Sequence, residues 1–260
     1  MISKYGVAVL LCAAVAWGQP TSLAGIAHVA FRVADLETAR GFYEKLGFEQ
    51  FFEMKQGERT TEAFLKINDR QFIELYPRAD AGQPLGLMHV CYESNDLEPL
   101  HAEYQHRGLA VSDVRKAGAG NLLMTMKDPE GQTIEFTQYM PGSRHFEDRG
   151  RHLGANRVSQ ALTGATTNAR DVAAMRRFYL EKLGFAEVAN GTPVRLRLPG
   201  DSGQELHISA EGTGAILLRV PDLRRAEDVL KGLGLPVTAT NTWLRVRDPD
   251  GVETAFGSRN

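Results

Sequence analysis

The sequence predicts an α+β fold built from four consecutive β-α-β-β-β modules. Three observations carry that prediction. A helix-ending segment recurs in both halves, Phe42-Tyr43-Glu44-Lys45-Leu46-Gly47-Phe48 and Phe178-Tyr179-Leu180-Glu181-Lys182-Leu183-Gly184-Phe185, the second with one inserted residue. The turn Asp128-Pro129-Glu130-Gly131 recurs as Asp248-Pro249-Asp250-Gly251. Within the first half, two His–Glu pairs keep one spacing, positions 28 to 74 and 89 to 135, 46 residues in each case. Self-similarity of this kind marks duplicated structural units.

In the first module a strand, Ile26–Val33, leads to Asp35, a residue suited to cap a helix. Leu36, Ala39, Tyr43 and Leu46 recur at helical spacing, and Gly47 stops the helix. Strand-like runs follow near 49–54, 61–67 and 71–76. The second module opens with strand 87–93 and Asp96, and continues with a helix carrying Leu97, Leu100 and Tyr104 that stops at Gly108. Strands near 111–115, 122–127 and 133–139 complete it, the last two joined by the Asp-Pro-Glu-Gly reversal. Residues 141–157 are polar and lack periodicity, which reads as a linker with His145 and His152 as solvated loop residues. The second half replays the pattern with helices carrying Val172, Met175, Tyr179 and Leu183, then Leu223, Ala226, Leu230 and Leu233.

The N-terminus differs in kind. Lys4 precedes the apolar run Gly6–Trp17, with small residues at Ala16 and Gly18. This reads as a secretory signal over residues 1–18, too short for a membrane span, so a secreted or periplasmic protein is expected. Cys12 would leave with it, and Cys91 would be the one remaining thiol, so stability rests on apolar burial rather than a disulfide. Of the 260 residues 43% are hydrophobic and 24% charged, and the formal net charge of −2 speaks against a general nucleic-acid binder.

His28 and His89 each stand in a strand-like run, and Glu74 and Glu135 each close another. Strand alternation puts His28, Ala30 and Arg32 on one face and Val29, Phe31 and Val33 on the other. It likewise puts His89 and Cys91 opposite Val90 and Tyr92, and Glu135 opposite Ile134 and Phe136. Two imidazoles and two carboxylates at equivalent places in two modules form a ligand set for one divalent ion, Zn, Ni, Co, Mn or Fe.

The His on the first strand, the Asp-Leu, Phe-Tyr and Leu-Gly-Phe of the helix, and Asp128-Pro-Glu-Gly-Gln-Thr-Ile-Glu-Phe136 together resemble the vicinal oxygen chelate superfamily. Its members include glyoxalase I, bleomycin-resistance proteins and extradiol dioxygenases. The resemblance implies two domains, 23–140 and 158–258, each pairing two modules into a cupped half-barrel sheet, with a metal in the concave face of the first. Aligned on Asp35 and Asp96, the second half has Gly164, His207 and Ala215 in place of His28, Glu74 and His89. The last turn puts Ala255 at the place of Glu135, so the second domain is expected to be metal-free. If modules swapped between domains, His89 and Glu135 would meet His207 instead; the unswapped set is preferred.

The resemblance further implies a small-molecule substrate with two neighbouring oxygens, Glu135 or Glu74 as the proton-transferring base, and Arg32 as the contact for an anionic substrate group. A homodimer is one way for such modules to pair. A glyoxalase I-like lyase or isomerase is the leading expectation, although Leu75-Tyr76-Pro77-Arg78 lacks the Asn that would hold glutathione. The alternatives are an Fe(II) extradiol dioxygenase, for which Gly118–Met126 lacks an expected His, and a non-catalytic binding protein of bleomycin-resistance type.

Overall fold

The computed structural model describes residues 23–258. The expected export signal over residues 1–18 lies outside the described residues. Among the described residues no helix is long and apolar enough to cross a membrane.

The first module consists of β1 (Leu23–Val33), α1 (Leu36–Lys45), β2 (Gln50–Gln56), β3 (Arg59–Asn68) and β4 (Gln71–Pro77). The second consists of β5 (Gly86–Ser94), α2 (Leu97–His106), β6 (Arg115–Lys116), β7 (Leu122–Lys127) and β8 (Thr133–Gln138). One eight-stranded sheet unites them in the order β2-β3-β4-β1-β5-β8-β7-β6. The seam is the antiparallel pair β1–β5, and each opening strand runs parallel to the closing strand of its own module. Modules one and two therefore share a sheet, as the unswapped arrangement requires.

The second half forms an equal sheet. Its elements are β9 (Ala161–Asn168), α4 (Val172–Arg177), β10 (Ala186–Asn190), β11 (Val194–Arg197), β12 (Glu205–Ser209), β13 (Ala215–Arg219), α5 (Leu223–Gly232), β14 (Thr238–Ala239), β15 (Trp243–Arg247) and β16 (Glu253–Gly257). The order is β10-β11-β12-β9-β13-β16-β15-β14, matching the first sheet strand for strand. The two sheets with their few helices are the expected pair of vicinal oxygen chelate-like domains of α+β type.

Four aspartates start the four long helical segments. Asp35 accepts from the Thr38 amide at 2.8 Å, Asp96 from Glu98 at 3.2 Å, Asp171 from Ala174 at 2.9 Å and Asp222 from Arg224 at 2.8 Å. Each such cap stabilises its helix by about 1 kcal/mol. The residue inserted in the third module has a local consequence. After α4 the chain forms a π turn over Phe178–Lys182, in which the Leu183 amide reaches the Phe178 carbonyl five residues back. The wider turn absorbs Leu180 while Tyr179 and Leu183 stay buried on the core side.

The helix-facing sides of the sheets form a continuous apolar core. Val29, Phe31 and Val33 are fully buried and pack with Ala39, Tyr43 and Leu46, as alternation predicts. The core runs through both units, and polar contacts join them too: the Tyr43 hydroxyl donates to Asp248 at 3.3 Å, and Gln71 exchanges hydrogen bonds with the backbone of Leu162. The sheets' other faces form two cups, the first partly filled by a cluster of Phe52, Phe64, Phe72 and His145.

Two sequence expectations need correction. The strand expected near 111–115 is reduced to Arg115–Lys116, because residues 109–114 run without regular pairing at the sheet edge. The segment 141–157 is not a solvated linker throughout. It holds the short helix α3 (Arg144–Glu147), capped by Ser143, and buries Ser143, His145 and Asp148 against the first unit. Its anchor is Lys66, fully buried on β3. The Lys66 ammonium donates to the Asp148 carboxylate at 2.9 Å, to the carbonyls of Asp148 and Arg151 at 2.6 and 2.8 Å, and meets Asp69 at 2.8 Å. A buried ammonium requires this full set of acceptors. His152, by contrast, is an exposed loop residue that pairs with Asp148 at 2.6 Å.

Candidate metal centre

The seam between β1 and β5 brings the two histidines together. His28 Nε2 and His89 Nε2 are 3.1 Å apart, their rings nearly perpendicular at 71°. The parallel neighbours β4 and β8 deliver the carboxylates from either side, Glu74 beside Ala30 and Glu135 beside Cys91. Glu135 Oε2 lies 3.5 Å from His28 Nε2 and 3.4 Å from His89 Nε2. Glu74 Oε1 lies 3.2 Å from His28 Nδ1, and Glu74 Oε2 lies 3.8 Å from His89 Nε2. All four side chains named from the sequence thus cluster about the histidine pair in the first cup, and the donor groups close enough to share one ion are His28, Glu74 and His89, and His28, Cys91 and Glu135. Donors about 2.1 Å from one ion, at tetrahedral or octahedral angles, lie about 3.0–3.4 Å from each other. The observed separations, together with two borderline nitrogen and two hard oxygen donors, fit a divalent cation.

Three of the four side chains are buried, His28 and His89 at 6% exposure and Glu74 at 3%, while Glu135 is half-buried. Burial pulls His89 down to about 4, so its ring is neutral and able to ligate. Burial, with the charges of Glu62 and Glu135, pushes Glu74 well above the usual carboxylate range. Burial also works against ionisation of Glu135, but His89 and His28 outweigh it and hold that carboxyl at about 2. Burial thus favours the protonated form of Glu74, and Glu135 is the more readily ionised of the two. The Tyr76 hydroxyl hydrogen-bonds both Glu62, which burial also raises, and Glu74, the latter at 3.0 Å. One phenolic proton cannot serve two carboxylates, so one of the two acids supplies its own.

A cavity of about 240 Å³ opens over His28, Glu74 and Glu135, while His89 borders a neighbouring recess. Met54, Phe64 and Leu123 give it apolar walls, and Tyr76, Tyr139 and Arg115 add polar groups. Cys91, on the same face as His89, brings its sulfur near His28 and Glu135, but burial, Glu135 and Glu74 push its thiol up and keep it neutral.

Arg32 is not brought into this cavity. Its guanidinium donates to the Pro84 carbonyl at 3.1 Å and lines a separate recess between β5 and the Thr213–Gly214 loop. The cation that does line the cavity is Arg115, exposed on β6. Alternation along β1 is kept, since Val29, Phe31 and Val33 all face the core; Arg32 is on the face of His28 but four residues, about 13 Å, further along the strand, where it turns to Pro84.

Two cavity residues escaped sequence reasoning. Glu62 lies on β3, whose counterpart in the second module carries no acid at the equivalent place, so repetition gave no signal. His145 arrives from the aperiodic segment. It is buried, its Nδ1 accepts from the Asn121 amide at 2.9 Å, and its ring stands edge-on to Phe72 at 4.6 Å. Burial lowers it to about 3, so the ring is neutral with its proton on Nε2, which has no partner. Only its neighbour Ser143, a helix-capping residue, hinted that this segment folds.

The second cup lacks the ligands. Gly164, Ala215 and Ala255 occupy the registers of His28, His89 and Glu135, and His207 that of Glu74. A β-carbon at Gly164 would meet the Glu205 carbonyl oxygen at 2.4 Å, so the strand leaves no room for a side chain there. His207 bonds Glu205 on its own strand at 3.1 Å, far in topology from His89 and Glu135.

Residues 25–136 match the Glyoxalase/Bleomycin resistance protein/Dioxygenase superfamily. No curated protein matches the chain. Among solved structures, the fold is similar to an Mn(II)-bound glyoxalase from Novosphingobium aromaticivorans, at 16% identity and a TM-score of 0.70 over 91% of this chain and 82% of that one. It is similar to the 2,3-dioxygenase LapB from Pseudomonas sp. KL28, at 16% identity and a TM-score of 0.70 over 91% and 92%. It is also similar to a variant of homoprotocatechuate 2,3-dioxygenase from B. fuscum, at 17% identity and a TM-score of 0.70 over 93% and 73%.

Proposed function

We propose that this chain, a member of the vicinal oxygen chelate superfamily through its first unit, is an exported metal-dependent lyase or isomerase of glyoxalase I type. The observation that carries the reading is the clustering of Glu74 and Glu135 about the pair His28 and His89. Export rests on the pattern of residues 1–18 alone.

His28, His89, Glu74 and Glu135 would hold the ion. When bound, a divalent ion supplies Lewis acidity toward two neighbouring oxygens of a substrate. The chain's own residues supply the rest. Glu135 is the base: it is the more readily ionised carboxylate, its side chain is 17% exposed against 4% for Glu74, and it faces the cavity. It takes a proton from the carbon next to a substrate carbonyl and returns it to the adjacent carbon. Glu74 is tied through Tyr76 to Glu62 and stays in place. Met54, Phe64 and Leu123 exclude water from the carbanion-like transition state and favour a substrate with an apolar body. Arg115 at the wall meets an anionic substituent.

Proton exchange tests this reading without knowledge of the natural substrate. The metal-loaded protein, incubated in D2O with small α-hydroxyketones and α-ketoaldehyde hemithioacetals, exchanges the carbon-bound proton, read by NMR. Glu135→Gln retains substantial metal and loses the exchange. Exchange no faster than in buffer, for every compound and every metal, sinks the lyase reading.

A second reading has one observation in its favour. His145 and Tyr139 place an imidazole and a phenol in the cavity, so the ring missing from Gly118–Met126 has a substitute from elsewhere in the chain. This suits a ring-cleaving dioxygenase of the kind that LapB's name describes. Oxygen uptake by the anaerobically Fe(II)-loaded protein on adding catechol decides between the two.

A further inference from the structure

We infer that the cup of the second unit is a separate binding site for a small flat organic anion, an aromatic carboxylate or its like. Nothing in this inference depends on the metal or on the reaction of the first unit.

The argument starts from what replaced the ligands. In the first cup β7 presents Leu123 and Thr125, the latter opposite Glu135. In the second, β15 presents Trp243, Arg245 and Arg247 on the cup face, while Leu244 and Val246 point into the core. Arg245 stands directly opposite Ala255, the residue at the register of Glu135. Thus where the first unit has a carboxylate ligand beside a threonine, the second has a space beside a guanidinium.

The space is real. The second cup encloses about 790 Å³, against about 240 Å³ in the first. A copy kept only as a buttress would gain by filling its concavity with large side chains. Instead Ala215, Leu217 and Ala255 form a small apolar floor with Trp243 packed beside it. The indole lies flat against Gly257, whose missing β-carbon would sit 2.8 Å from the ring. The ring is therefore fixed in orientation, with its opposite side toward the cup.

The polar groups are pre-positioned. Glu205, buried, holds Arg195 through two hydrogen bonds of 2.8 and 3.0 Å and His207 through one of 3.1 Å. Glu253 holds Arg245 through Nε at 2.8 Å, which leaves the Nη groups of Arg245 for a ligand. Arg195, Arg245 and Arg247 line the cup with Glu211 and Glu253, and Glu205 lies beneath them as the partner of Arg195. Rigid, paired arginines recognise carboxylates well, because little order is lost when their remaining donors are used. A flat ring against Trp243 and the floor, with its acid group on the free Nη groups of Arg245, matches both halves of the site.

Calorimetric titration of the full chain with 2-naphthoate and with uncharged 2-naphthamide tests this. One 2-naphthoate binds per chain, and the amide binds at least tenfold more weakly. Arg245→Gln weakens the acid at least tenfold, Ala255→Phe abolishes its binding by filling the floor, and Glu135→Ala in the first cup changes nothing. Circular dichroism and unchanged metal content confirm that each second-cup variant is folded. The inference is overturned if 2-naphthoate gives no heat, if Ala255→Phe binds as the wild type does, if acid and amide bind alike, or if Glu135→Ala removes the binding.

Discussion

His28 and His89 approach within 3.1 Å through Nε2 although 61 residues separate them, because β1 and β5 are neighbours at the centre of one sheet. With neutral rings one Nε2–H can donate to the other bare Nε2, the direction being set by the tautomers, whereas a metal would take a lone pair from each ring. Two imidazoles and two carboxyl groups this close together form a donor set that a divalent cation stabilises.

Removal of either side's ligands should therefore abolish metal binding without unfolding the chain. His28→Ala and Glu135→Ala are expected to lose at least 90% of bound metal by elemental analysis, with the far-ultraviolet circular dichroism unchanged. His207→Ala should retain all of it. Full metal content in both first-cup variants would refute the assignment.

Lys66 is expected to matter through the segment that it anchors. Lys66→Met leaves the buried Asp148 with only the outer partners His152 and Arg151, and loss of one partner of a buried pair costs up to about 3–5 kcal/mol. Urea unfolding measures the loss. Hydrogen exchange over residues 143–152 should rise more than elsewhere, and uniform exchange would show that Lys66 does not hold the segment.

Asp248 gives a pH-dependent prediction. Burial raises its carboxyl from the usual 3.8 to about 6, against the pull of the Val252 and Asp250 amides. Between those values the folded state binds more protons than the unfolded, so this group's contribution falls as pH rises from about 4 to 6 and stays lost above it. The penalty at neutral pH is about 2–3 kcal/mol. Asp248→Asn keeps an oxygen for the two amides and is expected to be more stable than wild type at pH 8, with the gap closing toward pH 4. Parallel melting curves at the two pH values would contradict this.

The fold and the four ligands were legible because duplication writes them twice. Equal spacing in two modules, with alternation along each strand, located His28, Glu74, His89 and Glu135, and alignment of the turns located the substitutions Gly164, Ala215 and Ala255. What repeats only once left no such trace. His145 reaches the cavity from a segment without periodicity, and it does so through Lys66, a residue that reads as an exposed strand lysine. Glu62 belongs to the first module alone. Alternation gives Arg32 its face but not its reach: it stands four residues along β1 from His28 and its side chain turns to the Pro84 carbonyl, a contact the residue pattern does not encode.

The most direct test of the metal centre is to load the full chain with excess Mn(II), Co(II) or Zn(II), remove weakly held ions by gel filtration, and count what remains. The result expected is one ion per chain, with X-ray absorption showing two imidazole nitrogens among nitrogen and oxygen donors. Retention of none, or of an ion whose spectrum is unchanged when His28 and His89 are both replaced by alanine, would contradict it.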